Sequence, residues 1–203
     1  MEKVASVLQE NNNMVNVYAT CGPSGSGKNR LYKIHHDNWY KHCVYICPDD
    51  IRKELTGNVS CQSKNKEVWY LAYSRMKDAI LEGKDVYFNS TMCSIKSIKT
   101  LIENINLGLP GDNSEQVWLY LLVFPKVSTF RLKFRVFKDL IKKEERSNTL
   151  KLIKKDNKIM TVVGYQNKQF DSVRKYLIEK VLSPSQKGLV KFFVSLIRSE
   201  DLK

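Results

Sequence analysis

Four short apolar runs punctuate the chain: Val15 with Val17 and Tyr18, Cys43 to Cys47, Val86 to Phe88, and Val117 to Phe124. Each is brief, rich in β-branched or aromatic residues and bounded by turn formers, which predicts strands. Val117 to Phe124 (VWLYLLVF) is the most apolar and reads as a strand buried on both faces. The intervening segments carry helical spacing. Arg30 to Tyr40 predicts a first helix and a polar turn, and a second helix starts near Asp50. Thr56 to Lys64 is a polar loop. Val68, Leu71, Ala72, Met76, Ala79 and Ile80 then mark one helical face that Gly83 closes. Ile95 to Leu107 is the next helix, and Gly108 to Asn113 breaks it. Beyond the fourth strand lie a basic segment from Lys126 to Lys155, a fifth strand at Ile159 to Val163, and two closing helices at Phe170 to Leu182 and Lys187 to Ile197. Strands alternating with helices predict a single α/β domain, residues 1–203, with a parallel sheet of four to five strands and helices on both faces.

The turn after the first strand holds the clearest chemistry. Gly22, Pro23, Ser24, Gly25, Ser26, Gly27 and Lys28 follow a strand and open a helix, the setting a phosphate-binding loop requires. Glycines let successive N–H groups point inward, and the helix start adds its own unpaired N–H groups. Lys28 brings a full charge to the β/γ-phosphates. The pattern calls next for Ser or Thr, whose hydroxyl ligates Mg²⁺, and here the residue is Asn29, whose carbonyl oxygen is the candidate metal ligand. The end of the second strand carries Pro48, Asp49, Asp50, Ile51 and Arg52. Ligands of open α/β sheets bind at the carboxyl ends of strands, so Asp49 and Arg52 are expected in the same crevice as the loop. Asp49 or Asp50 also suits a helix N-cap.

Charge and composition narrow the class. A net charge of +13 favours a polyanionic partner. No apolar run approaches the length of a membrane span. The five cysteines, Cys21, Cys43, Cys47, Cys61 and Cys93, form no zinc pattern and read as buried, reduced thiols of a cytoplasmic protein. His35, His36 and His42 read as surface residues, and Trp69, Tyr70 and Tyr73 as packing aromatics.

Taken together, GPSGSGK, PDDIRKEL, VYFNST and the pair Arg131 and Arg135 resemble the P-loop kinases of the bacteriophage polynucleotide 5′-kinase type, over about Val15 to Leu152. Zeta-toxin-like sugar-nucleotide kinases carry a similar arrangement. The resemblance implies a P-loop NTPase fold with a basic helical lid, using ATP or GTP and Mg²⁺ to phosphorylate a nucleic-acid 5′-hydroxyl. It implies that Lys28 contacts the β/γ-phosphates, Asp49 is the general base, and Arg52 holds the acceptor's phosphate with Thr91 beside it. Arg131 and Arg135 would close over the nucleotide, Arg135 stabilising the transferred group. Two positions depart from the family: Asn29 replaces Ser or Thr, and the third strand ends in Asn89, Ser90, Thr91 and Met92 with no aspartate. The alternatives are a small-molecule kinase of the zeta-toxin kind and a nucleotide-binding module with little turnover.

Overall fold

A computed structural model describes residues 14–107, 117–127, 152–155, 158–181 and 190–197. The elements run β1 (Val15–Cys21), α1 (Lys28–His35), a π-helical turn (His36–Tyr40), β2 (Val44–Ile46), α2 (Pro48–Thr56), α3 (Asn65–Leu81), β3 (Val86–Phe88), α4 (Ile95–Leu107), β4 (Val117–Val123), β5 (Leu152–Lys155), β6 (Lys158–Thr161), α5 (Val162–Val181) and β7 (Val190–Leu196). Five strands form one sheet in the order β2-β3-β1-β4-β7. Every pairing in it is parallel. This is the α/β fold with a parallel sheet that the alternation of strands and helices predicts.

Period-two alternation sorts the sheet into an aliphatic and an aromatic face. Val15, Val17, Ala19 and Cys21 of β1 and Val117, Leu119, Leu121 and Val123 of β4 lie in one core with Val68, Met76, Ile98, Leu101 and Phe170 from α3, α4 and α5. The opposite face gathers Tyr18, Tyr87 and Tyr120 with Leu31 and Tyr40. Tyr18 and Tyr120 stack with centroids 5.0 Å apart. On α3, Tyr73 stacks on Phe88 at 5.6 Å, so it packs as expected, whereas Tyr70 stands exposed.

Three expectations need correction. Lys187 to Ile197 is not a closing helix: Val190–Leu196 is strand β7, in register with β4 from Val117↔Val190 to Val123↔Leu196. Its sequence VKFFVSL is β-branched and aromatic, and a ladder along the most apolar strand outweighs the local helical reading. The strand expected at Ile159 to Val163 exists as β6, but it pairs antiparallel with β5 in a separate two-stranded ribbon, and α5 already begins at Val162. Leu152–Lys155, the end of the expected helical lid, is therefore extended. Residues 128–151, with Arg131 and Arg135, lie outside the described residues.

Helix α2 starts two residues before Asp50, with Pro48 in its first turn and Cys47 at the N-cap. Proline suits that place because its missing N–H would be unpaired anyway. Asp49 and Asp50 are thus first-turn residues rather than caps. All five cysteines are free; Cys21, Cys47 and Cys93 are buried, whereas Cys43 and Cys61 are only partly so. Among the described residues no helix is long and apolar enough to cross a membrane.

Candidate phosphate-binding site

The chain leaves β1 toward β2 on one side and leaves β3 over β1 toward β4 on the other. β1 and β3 are neighbours, so their outgoing connections part between their carboxyl ends. That switch point is where open α/β sheets bind ligands. Both connections carry the residues of interest: Gly22 to Lys28 after β1, and Asn89 to Cys93 after β3.

The loop is held in shape from several sides. Gly22 N–H donates to the Thr91 carbonyl at 2.8 Å, so Thr91 serves the loop through its backbone. Ser26 N–H donates to the Pro23 carbonyl at 3.2 Å. Gly25 (φ 84°) and Gly27 (φ 102°) occupy the left-handed region, which side chains with a Cβ rarely adopt. Met92 has φ 38°, a strained value for a residue that is not glycine. Its carbonyl accepts from Cys21 Sγ at 3.2 Å, tying the strap after β3 to the end of β1.

Gly22 is where packing is tightest. A Cβ there would sit 2.7 Å from Phe124 Cβ and 3.1 Å from Ser26 Oγ. The nearest atom is fixed to the backbone, so it cannot swing away. Gly22→Ala is expected to cost about 1 to 3 kcal/mol through overpacking. Chemical denaturation checks it, and an unchanged midpoint would show that the loop has more room than this.

Lys28 is the centre of the site. It opens α1, whose N-cap Gly27 offers no side-chain cap and whose first turn has no acidic residue. Its side chain is buried and folds back over the loop, Nζ donating to the carbonyls of Gly22 at 3.0 Å and Pro23 at 2.8 Å. Burial pushes its pKa down from 10.5 to about 8, while Cys93, Cys21, Asp49 and Cys47 pull the other way. The thiols cannot neutralise it. Burial raises the Cys93 thiol to about 12 and that of Cys47 to about 11, and drives Cys21 higher still. Asp49 is the one carboxylate among those four groups. A buried cation held by two carbonyls is stabilised by an arriving anion.

Asp49 and Arg52 do come together. Arg52 Nη1 donates to Asp49 Oδ1 across one turn of α2. Arg52 is buried, and its Nη2 donates to Asn65 Oδ1 at 3.0 Å, joining α2 to the start of α3. Its Nε is buried without a hydrogen-bond partner. Asp49 is mostly exposed. Asp50 differs: desolvation pushes its carboxyl up, against a hydrogen bond with Cys47.

Asn29 is not turned outward alone. Its Oδ1 accepts from Asn89 Nδ2 at 2.9 Å, and the same Nδ2 donates to Tyr45 Oη at 2.7 Å. Asn89 Oδ1 accepts from Thr20 Oγ1 at 3.3 Å. Among the described residues no three His, Cys, Asp or Glu gather as a metal-binding group. The donors next to Asn29 are neutral and already bonded, and they do not fit a divalent cation held by side chains.

Two features escaped sequence reasoning. Gln166, from α5, accepts the Ser24 N–H on Oε1 at 2.9 Å, a contact 142 residues away that no local pattern announces. Asn89 joins Asn29 to Tyr45 and Thr20; its position at the end of β3 was the available signal.

No protein-family model and no curated protein matches the chain. Among solved structures, one similar chain comes from the molecular and structural characterisation of the PezAT chromosomal toxin–antitoxin system of the human pathogen Streptococcus pneumoniae. The similarity covers 90% of this chain and 93% of that one, at 14% identity and a TM-score of 0.42.

Proposed function

We propose that the chain binds a nucleoside triphosphate, ATP or GTP, in the Gly22 to Lys28 loop and transfers its γ-phosphoryl group to the 5′-hydroxyl of a nucleic acid. The observation that carries this reading is Lys28, buried across a glycine loop at the switch point, with the Asp49 carboxylate acting on it. The acceptor hydroxyl oxygen bonds to the γ-phosphorus, the bond to the β-phosphate oxygen breaks, and the nucleoside diphosphate leaves. Asp49 takes the hydroxyl proton, a role that suits an exposed carboxylate in the first turn of α2. Lys28 and the loop amides balance the charge on the phosphate oxygens, which is most of what such catalysis needs. Arg52 is proposed to hold a phosphate of the acceptor, its planar fork suiting a charge-assisted bond to phosphate oxygens. Arg131 and Arg135, four residues apart in the basic segment, are proposed to close over the nucleotide. The net charge of +13 supports a nucleic-acid acceptor over a small one.

The Asn29–Asn89 pair favours one second reading, a nucleotide-binding module with little turnover. Incubation with γ-labelled ATP and a panel of 5′-hydroxyl DNA, 5′-hydroxyl RNA and sugar nucleotides separates the cases. Label on the oligonucleotides is the expected result. Label on the sugar nucleotide alone moves the acceptor class to small molecules, and no transfer despite nucleotide binding supports the binding module.

A further inference from the structure

The two positions that depart from the P-loop kinase pattern touch each other. Asn29 and Asn89 are 60 residues apart in sequence, yet their amides bond at 2.9 Å. Asn89 is buried and fixed, with Tyr45 Oη and Thr20 Oγ1 as further partners and its own N–H donating to the Ile46 carbonyl at 2.8 Å. Turning both amides over would exchange donor for acceptor and still leave two neutral groups bonded to each other. Mg²⁺ sheds water reluctantly and is held on proteins chiefly by carboxylates and phosphates. Reaching Asn29 would break an existing hydrogen bond and offer no negative charge in return. The nearby carboxylates belong to the first turn of α2, where Asp49 is ion-paired with Arg52.

Building on the nucleotide-binding reading above, we propose that this amide pair makes nucleotide capture independent of Mg²⁺. The triphosphate is held by the loop and Lys28, and the protein lends the metal no side chain. Any Mg²⁺ that accompanies the nucleotide stays on phosphate and water. Asn29 is then a spacer that fixes the start of α1 against β3, rather than a metal ligand.

The test is calorimetric titration of the full chain with ATP in excess EDTA and again in excess Mg²⁺. The expected result is two dissociation constants within about threefold of each other. Two variants put a carboxylate into the pair: Asn29→Asp on the exposed side, and Asn89→Asp on the buried one. Asn29→Asp is exposed and serves if Asn89→Asp does not fold. Either is expected to weaken binding in EDTA by about tenfold or more, through repulsion of the phosphates, and to regain it with Mg²⁺. Binding of the parent protein that needs Mg²⁺ by about tenfold or more overturns the proposal while leaving the loop assignment intact. Equal behaviour of variant and parent overturns it too. No binding in either buffer overturns the loop assignment itself.

Discussion

Lys28→Met is expected to abolish ATP binding while making the nucleotide-free protein more stable. Methionine keeps the buried stem and removes the charge. The depressed pKa of Lys28, about 8 against 10.5, corresponds to about 3 kcal/mol against the charged form in the folded state. Part of that is lost again with the hydrogen bonds to Gly22 and Pro23, leaving a gain of about 1 to 2 kcal/mol. A residue that destabilises its own fold while serving a ligand is the pattern of a functional site. The pH dependence has a definite sign. Between about pH 8 and 10.5 the unfolded chain holds the Lys28 proton and the folded chain has released it. Stability from this group therefore rises with pH across that window, and the penalty is complete below it. ATP affinity runs the other way: level below about pH 8 and falling above it as the folded protein loses the charge. Thermal melts with and without ATP, across that range, check both. A mutant with the parent's ATP-induced shift would remove Lys28 from the site.

Asp49→Asn and Arg52→Ala are expected to fail in different ways. Asp49 is mostly exposed, and an Asn oxygen there still accepts from Arg52 Nη1, so the loss is confined to the charge of the pair. The amide cannot take a proton, so kcat is expected to fall by about 10²- to 10⁴-fold, with acceptor affinity nearly unchanged. Arg52 is buried and bonded to Asp49, Asn65 and the Val59 carbonyl. Removing it strands those partners, and Arg52→Ala is expected to lose about 2 to 4 kcal/mol of stability along with binding of phosphate-bearing acceptors. Arg52→Lys is not expected to rescue it, because one ammonium cannot reach three partners set for a planar fork. Denaturation midpoints and steady-state kinetics on a 5′-hydroxyl oligonucleotide distinguish the two. Full activity in Asp49→Asn would end its assignment as base.

What the sequence disclosed was local, and what it hid was mostly long-range. The β1–loop–α1 unit was legible because strand, glycines and lysine are contiguous, from Val15 to Lys28. Asp49 and Arg52 were legible as neighbours on one crevice, and their spacing of one helical turn is what lets them pair. β7 was misread because seven residues of mixed period fit either element, and only the ladder with β4 decides between them. The contact between Gln166 and Ser24, and the bond between Asn29 and Asn89, join segments whose proximity depends on strand order. Each Asn was visible as a departure from pattern; that the two departures meet was not.

The most direct test of the phosphate-binding assignment is an ATP titration of ¹⁵N-labelled protein, followed at the backbone amides of Gly25, Gly27, Lys28 and Asn29. These amides are expected to shift together and saturably, and to stay still in Lys28→Met. Saturable shifts elsewhere with the loop unmoved, or no saturable shift at all, would contradict the account.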